Sequence, residues 1–118
     1  GIKIGLFHGP IQGMKTDLGF DFGEEAYDVD KFNGLEAVLC GDIHKRQECK
    51  FKTGKGYMIG SPIQQNIGES IGKHGYGIYD IVTKEYSYVD LPNPKPFLKF
   101  SIKSFEDIEN GTEKLQNI

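Results

Sequence analysis

Asp42 and His44 stand one residue apart, just after the apolar run Ala37-Val38-Leu39-Cys40 and the glycine Gly41. The run reads as a short buried strand, and Gly41 lets the backbone turn sharply as it leaves. Residues two apart in an extended chain point to the same side. Asp42 and His44 can therefore reach one point beyond the carboxyl end of that strand, a usual place for ligands in open sheets. A carboxylate oxygen with an imidazole nitrogen suits a borderline divalent ion such as zinc, manganese or iron. His8 is placed alike, just past a segment in which Ile2, Ile4 and Leu6 alternate with Lys3, Gly5 and Phe7. The plainer reading of His8 is a turn histidine, and an Asp-x-His pair also arises by chance. Cys40 offers a rival chemistry, a thiol nucleophile near His44; its place inside the apolar run argues for a buried, inert thiol.

The elements that must hold these groups are short. Strands are expected over 2–7, 37–40, 47–52, 57–59, 75–82, 85–91 and 97–102. Thr53-Gly54-Lys55-Gly56 is a hairpin signal, and Thr83-Lys84 marks a second turn. Asp28 or Asp30 can cap a one-turn helix over 31–33 that Gly34 stops. Ser104-Phe105-Glu106-Asp107 resembles a capping box with Asp in place of Glu, opening a short helix to Asn110. Pro92, Pro94 and Pro96 make a stiff connector that can mark a domain boundary.

Among the polar residues, Asp17, Asp21, Glu24, Glu25, Asp28 and Asp30 read as a solvated acidic face. Lys45, Arg46, Lys50, Lys52 and Lys55 hold five of the fourteen basic groups; they suit a phosphate-binding rim or, equally, the wet side of a strand. The amides of Gln64, Gln65 and Asn66 suit a loop that bonds to backbone or ligand. His74, beside a strand start, reads as a surface residue.

With 118 residues the chain fits one modest domain. Hydrophobic residues are 37%, low for a self-sufficient core, and the sixteen glycines promise many turns. A net charge of -3 gives no global basic field for nucleic acid, although local patches can still act. No apolar run approaches the roughly 18 residues of a membrane span, and no signal peptide is visible. Two cysteines cannot build a disulfide framework, so a reduced, cytoplasmic setting is expected. The strand-like opening without Met suggests a piece of a longer protein.

Three stretches together carry a resemblance. They are Ile4-Gly5-Leu6-Phe7-His8 with Gly13; Ala37 to Gln47; and Ile59-Gly60-Ser61-Pro62-Ile63-Gln64-Gln65-Asn66-Ile67-Gly68-Glu69 with Lys73-His74-Gly75-Tyr76. They resemble the second half of the catalytic domain of calcineurin-like metallophosphoesterases. More narrowly, they are similar to the SbcD-type double-strand-break repair nucleases of bacteria and large phages. The second stretch resembles a closing Gly-His-x-His motif, and the third a Gly-Ser-x-x-x-Gln-Asn-x-Gly-Glu loop. The resemblance implies an α+β fold, the β-rich half of a four-layer metallophosphoesterase sandwich with short flanking helices. Residues 1–92 would be the carboxyl-terminal half of the catalytic domain, and 93–118 the connector and start of a cap.

The resemblance also implies chemistry. His8, Asp42 and His44 would be metal ligands, and Lys45, Arg46, Gln65 and Asn66 would meet nucleic acid. The cofactor would be two divalent ions about 3.5–4 Å apart, manganese in the intact parent. DNA would be the substrate and an SMC-like ATPase the partner, in a bacterial or phage-infected cell and away from membranes. An apolar sheet face would be covered by self-association or by the amino-terminal half. His74 matches no ligand position. Asp42 departs from the family's usual histidine and adds a negative charge that favours manganese over zinc. The family's Asp-x-His, Gly-Asp-x-x-Asp and Gly-Asn-His motifs do not precede His8, so the chain alone is not expected to cleave phosphodiesters efficiently. Two rivals stand beside this reading: a non-enzymatic module with a degenerate metal site that docks DNA or the ATPase, and a phosphoesterase for small phosphodiesters or phosphoproteins.

Overall fold

A computed structural model of the chain describes residues 1–116. Four strands form one mixed sheet: β1 (Ile4–His8), β2 (Ala37–Gly41), β3 (Gln47–Phe51) and β4 (Gly54–Met58). Their order is β1-β2-β4-β3. β1 runs parallel to β2, and β2 parallel to β4, while β3 and β4 make an antiparallel hairpin. A separate two-stranded ribbon pairs β5 (Gly75–Asp80) with β6 (Glu85–Asp90). The carboxyl ends of β1, β2 and β4 therefore open on the same side, and the loops that follow them meet there.

The core lies on one face of the sheet. Val38, Cys40 and Met58 from the central strands pack with Ile11, Met14 and Phe32 from the long β1–β2 connection. β2 is buried along almost its whole length, as a parallel strand flanked on both sides must be. Phe7, Tyr27, Phe32 and Phe51 extend this core as an aromatic cluster, with ring centroids 4.6–5.8 Å apart. Within the connection, Asp28 accepts a hydrogen bond from the Asp30 N–H and starts a single 3-10 turn, Val29–Phe32. That turn sits close to its expected place.

The opposite face is covered unevenly. Where β4 crosses it, Tyr57 stacks on Tyr86 of the ribbon, with centroids 4.2 Å apart and planes 11° apart. The Tyr88 hydroxyl donates to the main-chain oxygens of Gln47 and Met58 and so anchors β6 to the hairpin. Toward the β1 edge the cover stops: Leu6 is 84% exposed and Ile4 is also exposed. Ile4 and Leu6 thus leave a small apolar patch at the edge strand, while the ribbon covers the rest of the face expected to lie open.

Several expectations change. β1 covers Ile4–His8, so Ile2 and Lys3 lie outside it and His8 within it. The β3–β4 turn is Lys52-Thr53; Gly54, Lys55 and Gly56, expected in the turn, open β4, which ends at Met58 and not at Ile59. The ribbon turn spans Ile81 to Lys84 and not Thr83-Lys84 alone, because the Asp80 carboxylate accepts the Val82 and Thr83 N–H groups and ends β5 two residues early. Residues 97–102 form no strand. The Phe97 N–H and carbonyl are both bound by the buried Gln64 side-chain amide, which occupies groups a neighbouring strand would use. The terminal helix α1 runs Phe105–Gln116, through Gly111 and beyond Asn110. Its start is as expected, with Asp107 accepting from the Lys103 and Ser104 N–H groups.

The radius of gyration is 18.1 Å, against about 13.5 Å for a compact domain of this length. The sheet and ribbon are therefore only part of an elongated outline, 62 Å in its longest dimension. No helix among the described residues is long and apolar enough to cross a membrane.

Candidate functional site

Beyond the carboxyl ends of β1, β2 and β4, three loops enclose a cleft of about 430 Å³. The β1–β2 connection supplies Thr16, Asp17, Leu18 and Phe22. The β2–β3 loop supplies Asp42, Ile43, His44 and Lys45, and the loop after β4 supplies Asn66, Gly68 and Glu69.

The β2–β3 loop presents its two donors as the sequence suggests. Ile43 is buried in the core, and Asp42 and His44 on either side of it are exposed. Asp42 has φ 111°, a left-handed value that a residue with a Cβ rarely adopts. Such strain gathers where function needs a side chain aimed in a particular way. Among the described residues, the Asp42 carboxylate has no hydrogen-bond or ion-pair partner. The loop is held from behind by Gly60, with φ 78°. A Cβ there would stand 2.8 Å from the His44 oxygen and the Arg46 nitrogen, so only glycine permits this approach. The Ser61 N–H then bonds to the His44 carbonyl at 2.9 Å.

His44 is the best-supported side chain in the cleft. Its Nδ1 lies 3.0 Å from Glu69 Oε2, and its Nε2 has no partner among the described residues. Glu69 is only 6% exposed through its side chain. It also accepts from the Asn66 amide at 2.8 Å, the Gln65 N–H at 3.1 Å and the Ser61 hydroxyl at 3.4 Å. Burial alone would push this carboxyl up; the hydrogen bonds from His44 and the Gln65 N–H, with the nearby imidazoles, outweigh it and hold Glu69 below its ordinary value.

His8 ends β1 beside Gly41, and its Cδ2 stands 3.3 Å from where a Gly41 Cβ would be. It shares the sheet end with Asp42 and His44 but does not line their cleft. Among the described residues, no group of three or more His, Cys, Asp or Glu side chains gathers closely enough to hold a metal ion. Asp42 and His44 are thus a pair of open donors, a carboxylate and a free imidazole nitrogen. In kind they suit a hard-to-borderline divalent ion, and in number they fall short of a coordination sphere.

The proposed nucleic-acid residues divide. Lys45 is exposed and lines both this cleft and a neighbouring cavity of about 330 Å³ that includes Lys73. Asn66 and Gln65 are exposed; the Asn66 side-chain amide and the Gln65 main-chain N–H donate to Glu69. Arg46 turns inward: its guanidinium pairs with Asp90 and lies 4.7 Å above the Tyr88 ring, fastening the ribbon to the sheet. Lys50 and Lys55 sit opposite each other on the hairpin, away from the cleft, so the five basic residues form no single rim.

His74, expected at the surface, is buried. Its Nε2 lies 2.7 Å from the Ser70 carbonyl, and its Nδ1 meets the Ser61 hydroxyl and carbonyl. Cys40 matches its apolar setting: burial, with a smaller push from Cys49, raises its thiol to about 12, which removes it as a nucleophile near neutral pH. Glu69 stands in the loop resemblance with no role assigned; the structure gives it one, as the acceptor that holds His44. The signal was present, an acid closing a run of amides in a glycine-marked loop.

No family model matches the chain, and no solved structure matches it. It is similar to a curated protein, the "Uncharacterized protein R555" of Acanthamoeba polyphaga mimivirus, at 33% identity over 112 residues. That alignment takes in 95% of this chain and 8% of the viral protein, so the chain spans a small fraction of the relative it matches.

Proposed function

We propose that this chain forms the carboxyl-terminal half of the catalytic domain of a calcineurin-like, metal-dependent DNA exo/endonuclease of the SbcD type, which works beside an SMC-like ATPase. The observation that carries the reading is the pairing of a strained Asp42 with a Glu69-held His44 in one cleft, where three parallel strands end. In this reading Asp42 and His44 would hold a divalent ion, manganese by the hardness of the carboxylate. Such an ion, one of two, supplies a Lewis acid for phosphoryl oxygen and a more acidic bound water. Lys45 neutralises a backbone phosphate, and Asn66 braces the carboxylate that holds His44. The remaining ligands would come from the amino-terminal half, with His8 at the junction.

The test is cleavage of linear duplex DNA by the natural full-length polypeptide with manganese. Asp42→Ala and His44→Ala each lower the rate by at least about 100-fold while the fold persists, the scale expected when a charge-stabilising group is lost. Cleavage retained in both variants overturns the reading. A second reading, a docking module without catalysis, draws on the replacement of the family's histidine by Asp42 and on the exposed Leu6 edge. It expects no metal-dependent cleavage and unaltered partner binding in the same variants.

A further inference from the structure

The proposed function assigns His44 as a ligand; the route by which the chain fixes which nitrogen it offers is a separate matter. We infer that Glu69 is a positioning residue that locks His44 in the Nδ1–H tautomer, so that Nε2 presents its lone pair to the cleft. The metal half of this inference rests on the proposed function, and the tautomer half does not.

Three observations support it. The Nδ1–Oε2 distance of 3.0 Å is a hydrogen bond in which an ionised Glu69 can only accept. Glu69 cannot easily turn away, because three further donors hold its two oxygens: Asn66 Nδ2 and the Gln65 N–H firmly, and the Ser61 hydroxyl at a longer distance. Those donors come from a loop whose own closure is fixed, with the Gln64 amide donating to the Glu69 carbonyl and the Glu69 N–H to the Asn66 carbonyl. A neutral imidazole that donates through Nδ1 must keep Nε2 unprotonated. A carboxylate behind an imidazole also makes its other nitrogen a better donor to an ion.

Nitrogen-15 NMR of the full chain at pH about 8.5, above the ordinary imidazole value of about 6.5, reads the tautomer without any metal. A protonated Nδ1 and a pyridine-like Nε2 at His44 are expected in the wild type. Glu69→Ala should shift the population toward Nε2–H, and Glu69→Gln, which keeps an acceptor oxygen, should shift it less. Manganese titration by calorimetry should then show an affinity about 10–100-fold weaker in Glu69→Ala, partly restored in Glu69→Gln. An Nε2–H His44 in the wild type, or an unchanged tautomer in both variants, overturns the inference. The expected tautomer with no manganese binding in any form sustains the positioning role and counts against the metal reading.

Discussion

His44 and His74 are tied to the same loop and set to opposite uses. His44 is about half exposed, with one nitrogen held by Glu69 and the other open. His74 is buried, with both nitrogens engaged by Ser61 and Ser70. Ser61 touches both systems, donating toward Glu69 and meeting His74. The loop after β4 therefore acts as a brace with an open side and a closed side. A histidine's capacity for chemistry is decided here by how many of its nitrogens the fold consumes.

The largest effect that tests this contrast is on stability. His74→Ala strands the Ser70 carbonyl and empties a buried space, and should cost about 2–4 kcal/mol in urea unfolding. His44→Ala, at an exposed rim, should stay within about 1 kcal/mol. Equal losses would erase the distinction between the two sites.

Acid should reveal the shared carboxylate next. Glu69 titrates lower in the folded chain than its ordinary 4.5. Its stabilising contribution is then fully present above that value and is lost as pH falls through the lower folded value. Glu69→Gln should flatten this acid limb of the unfolding curve, and an unchanged limb would deny Glu69 its place in the brace.

The smallest effect separates two neighbouring cations. Under the proposed nuclease reading, Lys45→Ala in the full-length polypeptide should lower the salt slope of DNA binding by about one, as loss of one phosphate contact does. Arg46→Lys should leave that slope unchanged and weaken the fold, because its planar contact with Tyr88 and its pairing with Asp90 are spent inside the molecule. A lowered slope in Arg46→Lys would place it on the DNA side.

Local patterns in the sequence foretold what local forces decide. The apolar run before Gly41 became β2, and the Asp42/Ile43/His44 alternation put both donors outward; the Thr53-Gly54-Lys55-Gly56 signal marked a hairpin but not its turn, which is Lys52-Thr53. What escaped depends on partners remote in the chain. Phe97 loses its strand to Gln64, 33 residues earlier, and His74 is drawn inward by Ser61, thirteen residues away. Arg46 looked like a rim cation until Asp90 and Tyr88 were beside it. His8 shares the sheet end as the last residue of β1, yet spacing alone carries no information on whether it enters the cleft of Asp42 and His44, which it does not line.

The face-to-face rings of Tyr57 and Tyr86 have a practical use. The chain contains no tryptophan, so the phenol fluorescence of its six tyrosines is not drained by a stronger acceptor. Peeling the β5–β6 ribbon from the sheet would part these rings and alter the ultraviolet emission, giving an unlabelled optical gauge of whether the ribbon stays seated as conditions change.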